Sequence, residues 1–398
     1  MKKQFNFFII LALLFLFLLL HVYVLSGLQT YSNSPLLELS FWLLIAGITI
    51  SLIYAIKRIQ SRGMDSFFKF ATHAFLILLC IEIVFVIILI PGDIYRLLIH
   101  HPRNFYWVAF ASLLSILTFF LFVHGMSKGK YAYRVIKHDL YFDDLPDSFD
   151  GFTITQISDI HAGSFNNPKA IQKGIDLINK QASDLFVFTG DLVNNKAAEI
   201  LPWIGYFSQI KAPYGQFSIL GNHDYGDYVK WESEANKREN LQQLKNHHAA
   251  LGFRLLLDEH VHLHKDGEKI VLAGVENWGL GFGERGDLQK ALNNVDSNDF
   301  KILLSHDPSH WEEQVKNFAV KIQLTLSGHT HGMQFGLEAF GIKWSPVKYR
   351  YAHWAGIKKE NNRYLNINRG FGFLGFSGRI GIWPEITVIT LKKHPSLS

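Results

Sequence analysis

A chain of 398 residues has room for a membrane region plus one large globular domain, or for two smaller domains. Its formal net charge of +5, much of it beside apolar segments, excludes an extended nucleic-acid-binding surface. Its single cysteine, Cys80, excludes an intrachain disulfide and hence a fold that depends on oxidation.

Four apolar runs open the chain, at residues 5–25, 37–56, 71–90 and 106–123. Each is long enough to cross a hydrocarbon layer about 30 Å thick as a helix of about 20 residues. The first has too long an apolar stretch for a signal peptide and no small-residue cleavage site, so it is read as a retained span. Lys2 and Lys3 precede the first span, Lys57, Arg58, Arg62 and Lys69 separate the second from the third, and Lys128, Lys130, Arg134 and Lys137 follow the fourth. The loop after the first span has no basic residue, and the loop after the third has only Arg96 and Arg103. This asymmetry predicts a multi-pass membrane protein with both termini, and the globular part, in the cytoplasm. Glu82 is the carboxylate deep within a span, and no network of ionisable groups accompanies it, which speaks against transport. It is expected to pair with a neighbouring helix.

From about residue 137 short strands alternate with helical patterns. Residues 152–157 read as a strand running into Ser158-Asp159-Ile160-His161. Asn167-Pro168 opens a helix, with Asn as N-cap, Pro in the first turn and an apolar stripe of Ile171, Ile175 and Ile178. Residues 184–189 form a buried-looking strand ending in Gly190-Asp191, and residues 216–220 a third, ending in Gly221-Asn222-His223-Asp224. Leu241, Leu244 and Leu251 share one face of a polar helix that Gly252 stops. Residues 269–275 are a further strand, residues 300–304 lead into Ser305-His306-Asp307-Pro308, and residues 322–326 lead into Gly328-His329-Thr330-His331-Gly332. Residues 385–391 alternate as a last strand.

Five strands thus deliver Asp, Asn or His at their C-terminal ends, the edge at which ligands gather in α/β sheets. Taken singly, Asp159 also suits a helix N-cap, Asp191 a turn and Asn222 an Asx-turn. His260, His262 and His264 alternate along a predicted strand and are read as its solvated face, not as another metal site. Residues 371–376 are read as core packing beneath the site, with a greasy lip for a lipid tail as the alternative. Arg379 is a candidate phosphate-binding cation, or else the partner of an acidic neighbour.

A mixed carboxylate, amide and imidazole set argues against a structural zinc site, which favours cysteine. It suits manganese, iron or zinc in a hydrolytic centre. Two such ions sit about 3.5–4 Å apart in phosphoryl-transfer sites and need a bridging carboxylate, for which Asp191 is the candidate.

Asp159-x-His161, Gly190-Asp191, Gly221-Asn222-His223-Asp224, His306 and Gly328-His329-x-His331 resemble the five blocks of the calcineurin-like metallophosphoesterase superfamily. They occur in the family's order across roughly residues 150 to 392. With Asn368-Arg369-Gly370-Phe371-Gly372 and Arg379…Pro384-Glu385, the chain is similar to the membrane-bound YkuE/YaeI-type branch. That branch includes transmembrane metallophosphoesterases and a UDP-diacylglucosamine hydrolase. The resemblance implies an α/β, four-layer αββα sandwich, here preceded by four transmembrane helices. The boundaries are 1–130 for the transmembrane region, 131–150 for a linker and first strand, and 151–398 for the catalytic domain. It implies two divalent ions, manganese first, with iron or zinc as alternatives. Asp159, His161, Asp191 and His331 would hold one ion, and Asp191, Asn222, His306 and His329 the other. His223 would contact the phosphate or protonate the leaving group, with Asp224 orienting it. Hydroxide bridging the metals would hydrolyse a phosphomonoester or phosphodiester, either a small molecule or lipid-linked in the manner of UDP-diacylglucosamine. A membrane sensor or scaffold that binds a phosphorylated ligand without turnover is the alternative. No nucleic-acid partner is expected, and the sequence carries no signature of oligomeric state. The chain departs from many relatives in Leu192-Val193-Asn194-Asn195, where a second aspartate is common, and at Met333, where a glycine is.

Overall fold

The computed structural model describes residues 2–62, 65–339 and 341–394, without the side chains of residues 2–7, 10 and 60–62. The side chains of Lys2, Lys3 and Arg62, used above for orientation, lie outside the described set. The chain forms two compact units, Met1–His124 and Gly125–Ser398.

Four helices build the first unit, the last of them ending three residues past its boundary: α1 Lys2–Leu28, α2 Pro35–Arg62, α3 Ser66–Leu98 and α4 Phe105–Ser127. Each contains one of the predicted spans and overruns it, and all four are long and apolar enough to cross a membrane. Large apolar side chains such as Phe15 and Phe120 stay exposed, as side chains solvated by lipid do. The third apolar run reads as ending at residue 90, yet α3 continues through Pro91 to Leu98. One missing N–H is tolerated in a spanning helix, and the extra turns carry Asp93. That carboxylate accepts from Tyr23, Arg96 and Arg103, tying α1, α3 and the approach to α4 together. Deeper in the bundle, His21 Nδ1 of α1 lies 2.7 Å from Glu82 of α3, and both are buried. The polar contacts of this unit therefore exceed the lone carboxylate read from the sequence.

The second unit carries sixteen strands among the described residues. In chain order they are β1 Arg134–Phe142, β2 Thr153–Ile157, β3 Leu185–Phe188, β4 Gln216–Ser218, β5 Arg254–Leu255, β6 Glu259–Lys265, β7 Glu268–Gly274, β8 Trp278–Gly279, β9 Gly283–Glu284, β10 Lys301–Leu304, β11 Leu324–Ser327, β12 Leu337–Ala339, β13 Ile342–Trp344, β14 Gly356–Glu360, β15 Arg363–Ile367 and β16 Glu385–Lys393. Its helices are α5 Pro168–Asn179, α6 Ile204–Phe207, α7 Glu234–Ala250, α8 Leu288–Ala291 and α9 Ser309–Glu313.

Two six-stranded sheets run in the orders β1-β16-β2-β3-β4-β5 and β14-β15-β11-β10-β7-β6. Strands β2 to β5 are parallel, as are β15, β11, β10 and β7. Strand alternation explains the layering. Leu185 and Val187 face Ile302, Leu304, Leu324 and Leu326 in a core between the sheets. Phe186 and Phe188 point the other way, onto Ile171, Ile175 and Ile178 of α5 and Leu244 of α7. Leu303 and Leu365 pack outward against Leu288 of α8 and Trp311 of α9. The result is the expected order of helices, sheet, sheet and helices.

Local chemistry sets the helix ends. Asn167 accepts the Ala170 amide at the start of α5, and Ser233 accepts the Asn236 amide at the start of α7. Past α7, Gly252 takes φ +79°, a conformation most side chains resist.

Candidate metal centre

The turns after β2, β3, β4, β10 and β11 carry the predicted ligands, and they hydrogen-bond to one another. Asp159 N donates to Gly190 O at 2.9 Å, His161 N to Asp191 O at 3.1 Å and Gly328 N to His306 O at 2.9 Å. Asp159, His161, Asp191, His329 and His331 all have positive φ, between 47° and 69°. Such backbone is uncommon outside glycine and gathers at functional sites, where surrounding bonds hold it. Gly328 is required for a different reason. A Cβ there would lie 1.8 Å from Ser158 Oγ and 2.4 Å from Asp159 Oδ2.

The structure brings the carboxylates and imidazoles together in two clusters, Asp159 with His161 and His331, and Asp191 with His306 and His329. His331 Nε2 lies 3.2 Å from Asp159 Oδ1, and His161 Nε2 lies 3.0 Å from His331 Nε2. Asp191 Oδ2 stands between the clusters, 3.5 Å from His161 Nε2 and 3.2 Å from His306 Nε2. Asn222 joins the second cluster, its Oδ1 2.9 Å from His329 Nδ1.

Burial disfavours charge throughout this centre and is only partly overruled. It drops the His161 pKa to about 3. At His306 burial also works downward, but Asp191 beside it prevails and raises the pKa to about 10. Against burial, His331 holds Asp159, and His306 holds Asp191, below the usual carboxylate range. Among the described residues, no lysine or arginine is hydrogen-bonded to either carboxylate.

The donor set fits divalent cations. His161 Nδ1 and His306 Nε2 are buried without a hydrogen-bond partner. Two ring nitrogens, of His161 and His331, face each other across 3.0 Å. Buried polar atoms left this way are costly unless something positive bonds them. His306 Nδ1 donates to Thr189 O at 2.7 Å, which turns Nε2 toward Asp191, as a ligating imidazole requires.

His223 is half-buried at the edge of the centre, its ring centroid 5.0 Å from that of His161. The expectation that Asp224 orients it is corrected here. His223 Nδ1 donates to the Asn194 carbonyl at 2.8 Å. Asp224 turns inward instead and accepts four backbone amides, those of Gly221, Asp191, Leu192 and Val193. Adjacent side chains in a tight turn point apart, so sequence neighbours need not touch. Burial and then the Asp191 charge push the Asp224 pKa up to about 7.

Arg379 is wholly buried and bonds backbone rather than a carboxylate. Nε donates to Gly372 O at 2.9 Å, and Nη2 to the carbonyls of Arg369 at 2.8 Å and Gly370 at 3.1 Å. Nη2 also lies 3.3 Å from His331 Nδ1. The acidic neighbour Glu385 pairs with Arg369 instead. Phe371 and Phe373 pack in the core, Phe371 stacked on Tyr133 at 4.3 Å. His260, His262 and His264 lie along β6, outside both clusters.

Three contacting residues had no sequence signal of their own: Asn194 behind His223, Tyr228 on Asn222 and Asp307 on His329. Asp307 directly follows a predicted ligand, but its partner comes from a different strand end.

Comparison with known proteins gives matching assignments for both parts of the chain. Residues 4–130 match the family described as probable calcineurin-like phosphoesterase, transmembrane domain, and residues 152–333 match calcineurin-like phosphoesterase. Among similar proteins is the uncharacterized metallophosphoesterase YkuE of Bacillus subtilis, 31% identical over 64% of this chain and 84% of that protein. A transmembrane protein with metallophosphoesterase domain from Danio rerio is 28% identical over 71% of this chain and 62% of its own length. An uncharacterized metallophosphoesterase of Aquifex aeolicus is 28% identical over 66% of this chain and 93% of its own length.

Proposed function

Because this chain belongs to the calcineurin-like metallophosphoesterases, hydrolases of phosphate esters, we propose that it cleaves a phosphomonoester or phosphodiester at a two-cation site shared through Asp191. The observation that carries this reading is Asp191 Oδ2, 3.5 Å from His161 in one cluster and 3.2 Å from His306 in the other. Asp159, His161, Asp191 and His331 would hold one cation, and Asp191, Asn222, His306 and His329 the other. Manganese is the favoured ion, with iron or zinc as alternatives. Divalent cations supply Lewis acidity toward phosphoryl oxygens and toward water at neutral pH.

The protein's own groups do the rest. Two carboxylates among neutral donors leave the loaded site positive, so it attracts a phosphate. His223 has Nδ1–H committed to the Asn194 carbonyl, so in the imidazolium form Nε2–H gives its proton to the departing oxygen and the neutral ring keeps the Nδ1 bond. Asp224 holds the turns carrying Asp191 and Asn222 together. The membrane-spanning helices support a lipid-linked substrate, such as a UDP-diacylglucosamine-like diphosphate, and the basic-residue asymmetry supports catalysis on the cytoplasmic face.

The test uses the full chain in detergent with p-nitrophenyl phosphate or bis(p-nitrophenyl) phosphate. Turnover should vanish with EDTA, return with manganese, and be lost in Asp191→Ala and Asn222→Ala. Turnover that survives chelation or Asp191→Ala overturns the reading. Incubation with a membrane lipid extract, followed by mass spectrometry, identifies which lipid phosphoester disappears.

A further inference from the structure

The set of Asp191, Asn222, His306 and His329 contains an amide and an imidazole that can each present either of two ends. His329 Nε2 lies 3.3 Å from Asp307 Oδ2. Asp307 is fully buried, its Oδ1 accepts the Ser309 amide at 2.8 Å, and its Oδ2 accepts the Tyr351 hydroxyl at 3.1 Å. A carboxylate beside Nε2 favours the tautomer that carries its hydrogen there, which puts the lone pair of His329 on Nδ1. Asn222 is turned in the same way. Its Nδ2 donates to the Tyr228 hydroxyl at 2.8 Å, so Oδ1 faces His329 Nδ1 across 2.9 Å. The Tyr228 ring is itself held against His223, with centroids 4.4 Å apart. In that tautomer of His329 the Nδ1 and Oδ1 lone pairs face each other, an arrangement a shared cation satisfies, whereas in the other tautomer Nδ1 donates to Oδ1. The other cluster lacks this device, since His331 Nδ1 faces the Arg379 guanidinium at 3.3 Å and not a carboxylate.

We propose that Asp307 and Tyr228 are positioning residues that hold His329 Nδ1 and Asn222 Oδ1 as ligands of a single cation and set the affinity of that position alone. This rests on the two-cation reading above. Asp307 acts from behind the imidazole, Tyr351 holds Asp307, and Tyr228 acts from the solvent side, 49% exposed.

The experiment is isothermal titration of manganese into the chelator-stripped full chain in detergent. The unsubstituted protein should bind two equivalents. Asp307→Asn keeps the shape but offers a donor to Nε2, and should weaken one equivalent about 10- to 100-fold while the other stays unchanged. Tyr228→Phe removes one exposed hydroxyl and should weaken the same equivalent by a smaller factor. If Asp307→Asn proves unstable in a thermal melt, Tyr228→Phe and Tyr351→Phe carry the test, since neither removes a buried charge. Two equivalents of unaltered affinity in the stable variants overturn the proposal, as does equal weakening of both. Fewer than two equivalents in the unsubstituted protein overturns the two-cation reading itself and is recognised without any variant.

Discussion

Asp224→Ala removes the acceptor of four backbone amides, at 2.9 Å from Gly221, 3.0 Å from Asp191, 2.8 Å from Leu192 and 3.2 Å from Val193. Asp224 is fully buried, so water does not take its place. A hydrogen bond contributes about 1 kcal/mol net, and a buried donor left unpaired costs about 1–3 kcal/mol. Four amides on one carboxylate do not act independently, so the expected loss is about 4 kcal/mol rather than the full sum. In a domain of this size about 1 kcal/mol moves Tm by about 2–4 °C, which puts the fall at about 8–16 °C. Turnover should disappear with it, because the two turns supply Asp191 and Asn222. The assay is thermal unfolding by intrinsic fluorescence in detergent after chelation, so that bound cations do not mask the change. A Tm within about 2 °C of the unsubstituted protein, with turnover lost, would refute the reasoning and return Asp224 to the role of partner to His223.

Other outcomes separate the remaining roles. His223→Gln should lower kcat by about 10²–10⁴ on an alkyl phosphate ester, whose alkoxide needs a proton. It should lose far less on p-nitrophenyl phosphate, whose leaving group departs as a stable anion, and equal losses would contradict proton donation by His223. Gly328→Ala places a Cβ 2.4 Å from Asp159 Oδ2, so manganese titration should show loss of the equivalent that Asp159 is proposed to hold. Unaltered binding would mean that the turn relaxes without moving the carboxylate. A C-terminal green fluorescent protein should fluoresce in intact cells and a C-terminal alkaline phosphatase should stay inactive. An active phosphatase would place the catalytic unit on the other side of the membrane.

The spans were legible because lipid imposes one requirement on every turn, an apolar surface. Their ends were less so. Pro91 is a strong stop signal in water, yet α3 runs on to Leu98, with Asp93 bound by Tyr23, Arg96 and Arg103. His21 had no sequence signal linking it to Glu82, since sixty residues and a change of helix separate them. The catalytic strands could be read because a buried parallel strand is a short apolar run with its functional residues just past its end. The role of Asp224 beside His223 came from the family resemblance, whereas the turn drives Asp224 inward onto backbone amides and leaves His223 bonded to Asn194.

By itself the sequence determined the four spans, the sandwich that follows them and the identity of the residues that end its strands. The spans and the strand ends depend on local periodicity and on residue type at a fixed offset from each strand, and the sandwich was implied by the resemblance to a known family. Only the tertiary structure decided which of these residues share a cluster, that Asp191 reaches both, and that Asn194, Asp307 and Tyr228 stand behind His223, His329 and Asn222. Those are distances between turns of neighbouring strands or, for Asp191 with His306 and Asp159 with His331, between turns of two separate sheets, and no pattern along a single strand encodes them.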